Sequence, residues 1–136
     1  MLGNYFDFKN PTTLSSIAVM LDTDAHPTSL GTFQTQSGGE VIAYVLDTTG
    51  INDYFTGITT NLNAMIGGVI WQSDFILVTQ QDVDNGMLVI DVDELQINPG
   101  AYYIAIEMYS NGLASDIILF DDTSVAQPYY ASMYYN

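Results

Sequence analysis

Aspartate side chains are the groups in this sequence with the clearest capacity for chemistry. Thirteen of the 16 acidic residues are Asp, and many lie in turns or next to apolar runs. Two pairs stand out, Asp22 and Asp24 in LDTDAH and Asp121 and Asp122 in FDDTS. Ca²⁺ collects roughly six to eight oxygen ligands, which short carboxylates and backbone carbonyls in loops supply. We therefore predict that these four residues form a calcium site at one end of the fold.

The same acidic residues have simpler explanations. Asp hydrogen-bonds to its own backbone in turns, and an acidic surface also suits a protein in salt-rich surroundings. The DVDNG stretch at 82–86 looks like the start of an EF-hand loop, but it lacks the closing Glu and the flanking helices. That stretch is predicted to be a turn. Calcium remains the one cofactor that the sequence suggests.

Aromatic residues offer a second kind of site. The chain has ten Tyr, six Phe and one Trp, and exposed aromatic rings beside Asp or Asn are suited to stacking on sugar rings. Those predicted to bind a ligand are Tyr54, Trp71, Tyr109, Tyr129 and Tyr130. The alternative is that these rings pack in the core or in an interface, as aromatic residues in strands commonly do.

Catalytic residues are scarce. The chain has no Cys, and any Ser-His-Asp triad would have to use His26, its one His, which lies in the turn-like DAHPTS and is expected in a surface loop. Glycosidase chemistry needs only two carboxylates, but it also needs a cleft that small β-domains rarely have. We predict that the protein is not an enzyme, and no catalytic residue is assigned.

The charge balance excludes several partners. Lys9 is the single basic residue apart from His26, and the formal net charge is −15. Nucleic-acid binding requires Lys and Arg to displace counterions from phosphates, and anionic membranes attract the same basic residues. Neither nucleic acid nor an anionic membrane is therefore an expected partner.

Alternating apolar and polar residues predict the elements that must position these groups. The runs have the composition and period of two that are typical of strands, and Gly, Pro and Asn clusters separate them. Asn85-Gly86 indicates a hairpin, and 51–70 is predicted to be a long excursion with one helical turn near 62–65. The pattern predicts one all-β domain over 1–136, an antiparallel β-sandwich or jelly roll of about seven to nine strands. The predicted strands are 5–9, 14–21, 40–47, 74–80, 87–93, 101–109, 116–121 and 129–136.

The second half carries a family resemblance. VTQQDVDNGMLVIDVDELQINPGAYYIAIEMYSNG, followed by DIILFDDTSVAQPYY, resembles β-sandwich domains of large secreted cell-surface proteins of Bacteroidota, substrates of type 9 secretion. The likeness also covers the opening TLSSIAVML and leaves 48–73 unmatched. It implies an extracellular structural or adhesive module, and it implies no catalytic residues.

Three functions follow as hypotheses. The first is a non-catalytic module of a surface protein or filament, which assembles with copies of itself or with neighbouring domains through strand edges and Tyr-rich surfaces. Strand exchange through a terminal segment, 1–9 or 129–136, is the physical route that this hypothesis suggests. The second is a calcium-dependent carbohydrate-binding module, with glycans as partners. The third is a viral or phage jelly-roll structural protein.

Overall fold

The computed structural model describes residues 1–29, 31–48, 68–109, 117–119 and 132–134. In these ranges the chain forms ten strands and one short helix, and all strand pairs are antiparallel, which confirms the predicted all-β class. The count exceeds seven to nine because four strands have only two or three residues. The elements are β1 Leu2–Phe8, β2 Thr12–Met20, β3 His26–Thr28, β4 Gly31–Phe33, β5 Glu40–Asp47, β6 Val69–Gln72, β7 Ile76–Leu77, α1 Gln80–Asn85, β8 Met87–Ile97, β9 Gly100–Tyr109 and β10 Ser132–Tyr134.

The largest sheet has the order β10-β1-β9-β5-β6, and β7 pairs with β5 on the same side as β6. The two ends of the chain meet in this sheet, because β10 pairs with β1 of the same chain. β1 lies between β9 and β10, so it is an interior strand of this sheet. β5 is central, and six of its eight residues are buried.

Two smaller antiparallel pairs complete the described fold. β2 pairs with β8 in a long ribbon, and β3 pairs with β4 in a short one. Along β8 the alternation predicted from MLVIDVD is present, since Leu88, Ile90 and Val92 are buried while Val89 and Asp91 are exposed. This alternation gives the β2–β8 ribbon one apolar face and one solvent-facing side.

Buried residues form clusters on both faces of the large sheet. On the first face, side chains of β5 and β9 such as Val45 and Ile106 share a cluster with Ile17 of β2 and Ile90 of β8. The β2–β8 ribbon therefore packs against this face of the sheet. On the second face the cluster contains Ile42, Tyr44, Leu46, Tyr103 and Ala105. Burial on both faces explains why β5 reads as a nearly continuous apolar run.

The segment between β6 and β8 differs from the prediction. Of the predicted strand 74–80, only the two residues of β7 form a strand, and α1 follows β7. Thr79 starts this helix through a capping box, in which its side chain accepts from the Asp82 backbone N and Asp82 accepts from the Thr79 backbone N. Gly86 ends it at a φ of 64°. The Asn85-Gly86 pair is thus the end of a helix, and the predicted hairpin and turn there are wrong.

Other parts of the prediction lie partly outside the described residues. The helical turn near 62–65 and most of the 51–70 excursion are among them. Of the predicted strand 116–121 only 117–119 is described, and there Leu119 forms an isolated antiparallel bridge with Leu21. Asn98 and Pro99 separate β8 from β9, which agrees with the prediction that Gly, Pro and Asn clusters separate the strands.

Candidate functional site

Asp22 lies where the end of β2 meets two other segments of the chain, those around Thr35 and Ile118. Its backbone N donates to the Ile118 carbonyl at 2.8 Å, and its own carbonyl accepts from the Thr35 N at 3.3 Å. The Thr35 hydroxyl hydrogen-bonds to both the N and the O of Ile118, at 3.0 and 3.1 Å. Asp22 and Thr35 are both buried. These bonds hold 117–119 against the end of the β2–β8 ribbon.

The Asp22 carboxylate is itself bonded within the loop. One oxygen accepts from the Asp24 backbone N at 3.0 Å, and the other lies 2.8 Å from Nε2 of His26. The His26 side chain is half exposed, in agreement with its expected surface position. Asp22 therefore orders the loop between β2 and β3 and fixes the orientation of the imidazole.

Two of the four predicted calcium ligands lie in the described part of the chain. Asp22 and Asp24 lie side by side after β2, whereas Asp121 and Asp122 lie outside the described residues. Among residues 1–29, 31–48, 68–109 and 117–119, no group of three or more His, Asp or Glu side chains is arranged to hold a metal ion. The four-Asp calcium site stays a prediction.

The predicted aromatic ligands divide into three groups. Trp71 lies in β6 opposite Val45 and packs, half-buried, against the core cluster of the first face. Tyr109, at the end of β9, is 41% exposed. Tyr54, Tyr129 and Tyr130 lie outside the described residues. Of the five, Tyr109 is the one that the described structure leaves accessible to a ligand.

Tyr109 is part of an exposed apolar patch that the sequence did not reveal. Its ring meets that of Phe75 edge-on, with centroids 5.3 Å apart. Glu40 of β5 pairs with Tyr109 on one side and with Leu77 of β7 on the other, so these three side chains point to one face of the sheet. Phe75 is 58% exposed and Leu77 is 54% exposed. We call Phe75, Leu77 and Tyr109 the Phe75 patch.

A carboxylate with two tyrosine neighbours lies beside the Phe75 patch. The Tyr44 hydroxyl donates to Glu107 at 2.6 Å. Burial and, to a lesser extent, this hydrogen bond raise the pKa of Tyr44. Hydrogen bonding to the same carboxylate raises the pKa of Tyr109. Glu107 therefore accepts a hydrogen bond from the Tyr44 hydroxyl on the neighbouring strand, and both tyrosines remain protonated and neutral at pH 7.

An apolar groove runs between β1 and β2. Its volume is about 460 Å³, and β1, β2 and β9 supply most of its lining. Phe6 of β1 and Met20 of β2 contribute to it and are 42% and 53% exposed. We call this feature the β1–β2 groove. It combines strand backbone with exposed apolar side chains, and the sequence pattern gave no sign of it.

The chain was compared with models of known protein families, with curated proteins and with solved structures, and none of them matches. In the described part of the chain, no helix is long and apolar enough to cross a membrane.

Proposed function

We propose that this protein is a non-catalytic β-sandwich module of an extracellular surface protein or filament, and that it packs against copies of itself or neighbouring domains. The Phe75 patch is the observation that carries this proposal. Three large apolar side chains on one face, each at least two-fifths exposed, leave apolar area in water that association would bury. The favourable free energy of such burial is about 25 cal/mol per Å².

The edge next to this patch is also suited to association. β6 and β7 are short strands that pair with β5, and the described residues contain no further strand beyond them. Between β6 and β7, two hydrogen bonds of Ser73 to β5 take the place of regular strand pairing. The Ser73 N donates to the Ala43 carbonyl and the Ser73 hydroxyl accepts from the Ala43 N, both at 2.9 Å. Val69 and Ile70 of β6 are exposed as well. An apolar sheet edge of this kind is a common contact between domains.

The sandwich architecture and the extracellular setting have separate support. The core cluster shared by the large sheet and the β2–β8 ribbon is what two packed sheets would produce. The resemblance to secreted surface domains and the net charge of −15 favour a cation-rich exterior. The terminal strands pair with each other in one chain, so we place assembly at the Phe75 patch and not at exchanged termini.

Sedimentation velocity across a concentration series tests self-association. In about 0.5 M NaCl, which screens repulsion between acidic copies, we expect the sedimentation coefficient to rise with concentration. A Phe75→Ser/Leu77→Ser variant should remain monomeric. Val89→Ser, which removes an equally exposed side chain from the ribbon, is the matched control and should associate like the wild type. A wild-type chain that is monomeric throughout would contradict association between copies.

A carbohydrate-binding module is the second candidate, and the Phe75–Tyr109 pair favours it. Aromatic rings next to the Glu107 carboxylate combine a stacking surface with a hydrogen-bond acceptor for sugar hydroxyls. Glycan-array binding that disappears in Tyr109→Ala would support this function. Repeating the array with a chelator would show whether binding depends on calcium. An array without hits would remove the candidate.

A further inference from the structure

We propose that Glu40 and the side chains of the Phe75 patch form a binding site for a quaternary ammonium group, of the kind that choline carries. We call Glu40 together with the Phe75 patch the Glu40 site. The proposal goes beyond association between copies and does not require it, because one chain supplies every residue of the site. All of these residues lie in the described part of the chain.

Two aromatic rings form the walls of the site. The rings of Phe75 and Tyr109 have centroids 5.3 Å apart, and their planes are inclined at 61°. The two side chains are 58% and 41% exposed, so each ring offers surface to a ligand. A cation within about 6 Å of a ring centroid is attracted by the negative face of the ring. Aromatic cages bind quaternary ammonium ligands by placing two or more such rings around one cation.

Glu40 adds a negative charge beside these rings. In the register of the sheet it lies opposite Tyr109 of β9 on one side and opposite Leu77 of β7 on the other. Residues directly opposite each other share a face, with Cβ atoms about 4.5–5.5 Å apart, so the carboxylate lies within a side chain's length of the Tyr109 ring. Glu40 is exposed. A cation that contacts the rings therefore also lies near an opposite charge.

The chain has no basic side chain left to neutralise Glu40. It contains one Lys, no Arg and one His. Lys9 forms its ion pair with Asp7. His26 lies against the carboxylate of Asp22. The charge of Glu40 is therefore available to attract a cation from outside the chain.

The side chains of the Glu40 site select among cations. Ca²⁺ takes about six to eight oxygen ligands, whereas most of this surface consists of ring faces and the methyl groups of Leu77. A primary ammonium group is compact and strongly hydrated, and the apolar side chains do not replace the water that it would lose. A quaternary ammonium group donates no hydrogen bond, and contact with apolar side chains removes its methyl groups from water. This class of cation therefore fits the site best.

The test is a titration of the full chain with choline chloride at constant ionic strength, followed by amide chemical shifts. The control ligand is the neutral alcohol in which a tert-butyl group replaces the trimethylammonium group. We expect saturable shifts at the start of β5, at 75–77 and at the end of β9, with a dissociation constant on the order of 1–10 mM. The alcohol should bind at least about fivefold more weakly. Absence of choline binding, or equal binding of the two compounds, would overturn the proposal.

Substitutions test the individual side chains, with each fold verified by its amide spectrum. Glu40→Gln keeps the size of the side chain and removes its charge, so choline binding should weaken by about fivefold. Asp91→Asn makes the same change of charge at an exposed position of β8, and this matched control should bind like the wild type. Equal losses in the two variants would indicate attraction to net charge alone and would overturn the site.

A second pair of variants tests the rings. Phe75→Leu keeps an apolar side chain and removes the ring, so choline binding should weaken by about threefold or more. Phe6→Leu removes another exposed ring, on β1, and is the matched control that should bind like the wild type. Unchanged binding by Phe75→Leu would overturn the role of the rings.

Choline groups occur free in solution and as lipid headgroups, and sedimentation with phosphatidylcholine vesicles distinguishes these sources. Pelleting of the wild type but not of Glu40→Gln would assign the Glu40 site to the headgroup. Binding of free choline by a chain that stays in the supernatant would assign it to a soluble cation. Either result supports a quaternary ammonium site.

Failure of this proposal is distinguishable from failure of association at the Phe75 patch. The titration is carried out at a protein concentration at which sedimentation velocity shows only the monomer, so it measures ligand binding alone. Choline binding by a chain that never associates would retain the Glu40 site and reject association between copies. Association without choline binding would retain the interface and overturn the Glu40 site.

Discussion

Asp22 and Thr35 show what buried polar side chains do in this protein. A buried polar group without a partner costs about 1–3 kcal/mol. The Asp22 carboxylate avoids that cost through bonds within its own loop, and the Thr35 hydroxyl avoids it through bonds to the distant Ile118. The His26 partner lies four residues from Asp22 and was within reach of sequence reasoning. Thr35 and Ile118 are 83 residues apart, and no local pattern links them. The sequence therefore indicated a polar centre in LDTDAH, but its structural role depends on contacts that only the fold reveals.

Tyr44 is the residue for which the structure makes a pH-dependent prediction. Its folded-state pKa is raised, by burial first and by Glu107 second, from an ordinary value of 10.0. A raised pKa means that the folded state holds the proton more tightly than the unfolded chain does. The resulting stability is fully present below pH 10 and is lost as the pH rises through the folded pKa. The wild type should therefore lose stability steeply in alkaline solution.

The Tyr44→Phe substitution tests whether Tyr44 causes this loss of stability in alkaline solution. At pH 7 the variant should lose about 1 kcal/mol of unfolding free energy, because Glu107 loses one donor. Between about pH 9 and pH 11 its stability should fall less than that of the wild type, since the titrating hydroxyl is gone. Urea unfolding at each pH measures both effects, and Lys9 contributes equally to the two proteins. Parallel pH profiles would contradict the assigned role of Tyr44.

Strands were predictable where alternation or continuous burial is strong. β5 matches the predicted 40–47 run, and β9 matches 101–109 with one added residue. β8 continues to Ile97, beyond the predicted 93, past Asp93 and Glu94, which adopt positive φ values. Strand order was not predictable, because it depends on which apolar faces meet. The β1–β2 groove and the Phe75 patch follow from that order, so they could not be anticipated either.

The short helix shows how local capping overrides strand composition. DFILVTQ has the β-branched and aromatic content of a strand, but Thr79 and Asp82 form a reciprocal capping box three residues apart. Gly86 then supplies the left-handed residue with which helices commonly end. Thr79, Asp82 and Gly86 are helix signals that can be read from the sequence. The strand prediction resulted from the apolar run that precedes them.

The Gly86→Ala substitution tests how much the left-handed residue at the end of α1 contributes to stability. A Cβ at Gly86 would meet only the Leu21 carbonyl, at 4.0 Å, so the cost arises from the φ of 64° and not from crowding. Moving an L-residue into this region costs about 1–2 kcal/mol, and we expect a loss of that size in urea unfolding. Gly86→Asn is the matched control and should lose less, because Asn tolerates this conformation. Equal losses in the two variants would show that the backbone conformation is not the cause.

The whole molecule combines a two-faced apolar core with an unbalanced surface. The hydrophobic fraction of 48% is sufficient for folding, whereas 16 acidic residues share one Lys. In the described residues that Lys is paired with Asp7 and the one His with Asp22. The remaining acids have no basic side chain to pair with. Their mutual repulsion destabilises the compact state, because unfolding moves like charges apart.

Salt should therefore stabilise this protein. The Debye length shortens from about 30 Å at 0.01 M to about 10 Å at 0.1 M and 3 Å at 1 M, so the acids repel each other less as salt increases. We expect the melting temperature to rise by several degrees between about 10 mM and 0.5 M NaCl, as a gain of about 1 kcal/mol would produce in a domain of this size. A flat melting temperature over this range would contradict repulsion as a destabilising force.

A comparison of Ca²⁺ with Mg²⁺ distinguishes charge screening from binding of Ca²⁺ at a specific site. At matched ionic strength, MgCl₂ and CaCl₂ screen equally, so a larger rise in melting temperature with Ca²⁺ than with Mg²⁺ requires a site that prefers Ca²⁺. If Asp22 and Asp24 are ligands, Asp24→Asn should abolish that difference and leave the response to NaCl intact. Asp24 is the better choice for substitution because only its backbone N bonds to Asp22, so its side chain is not needed to order the loop. An equal rise in melting temperature with the two ions would contradict calcium ligation by Asp22 and Asp24. The acidic surface would then be explained by adaptation to salt.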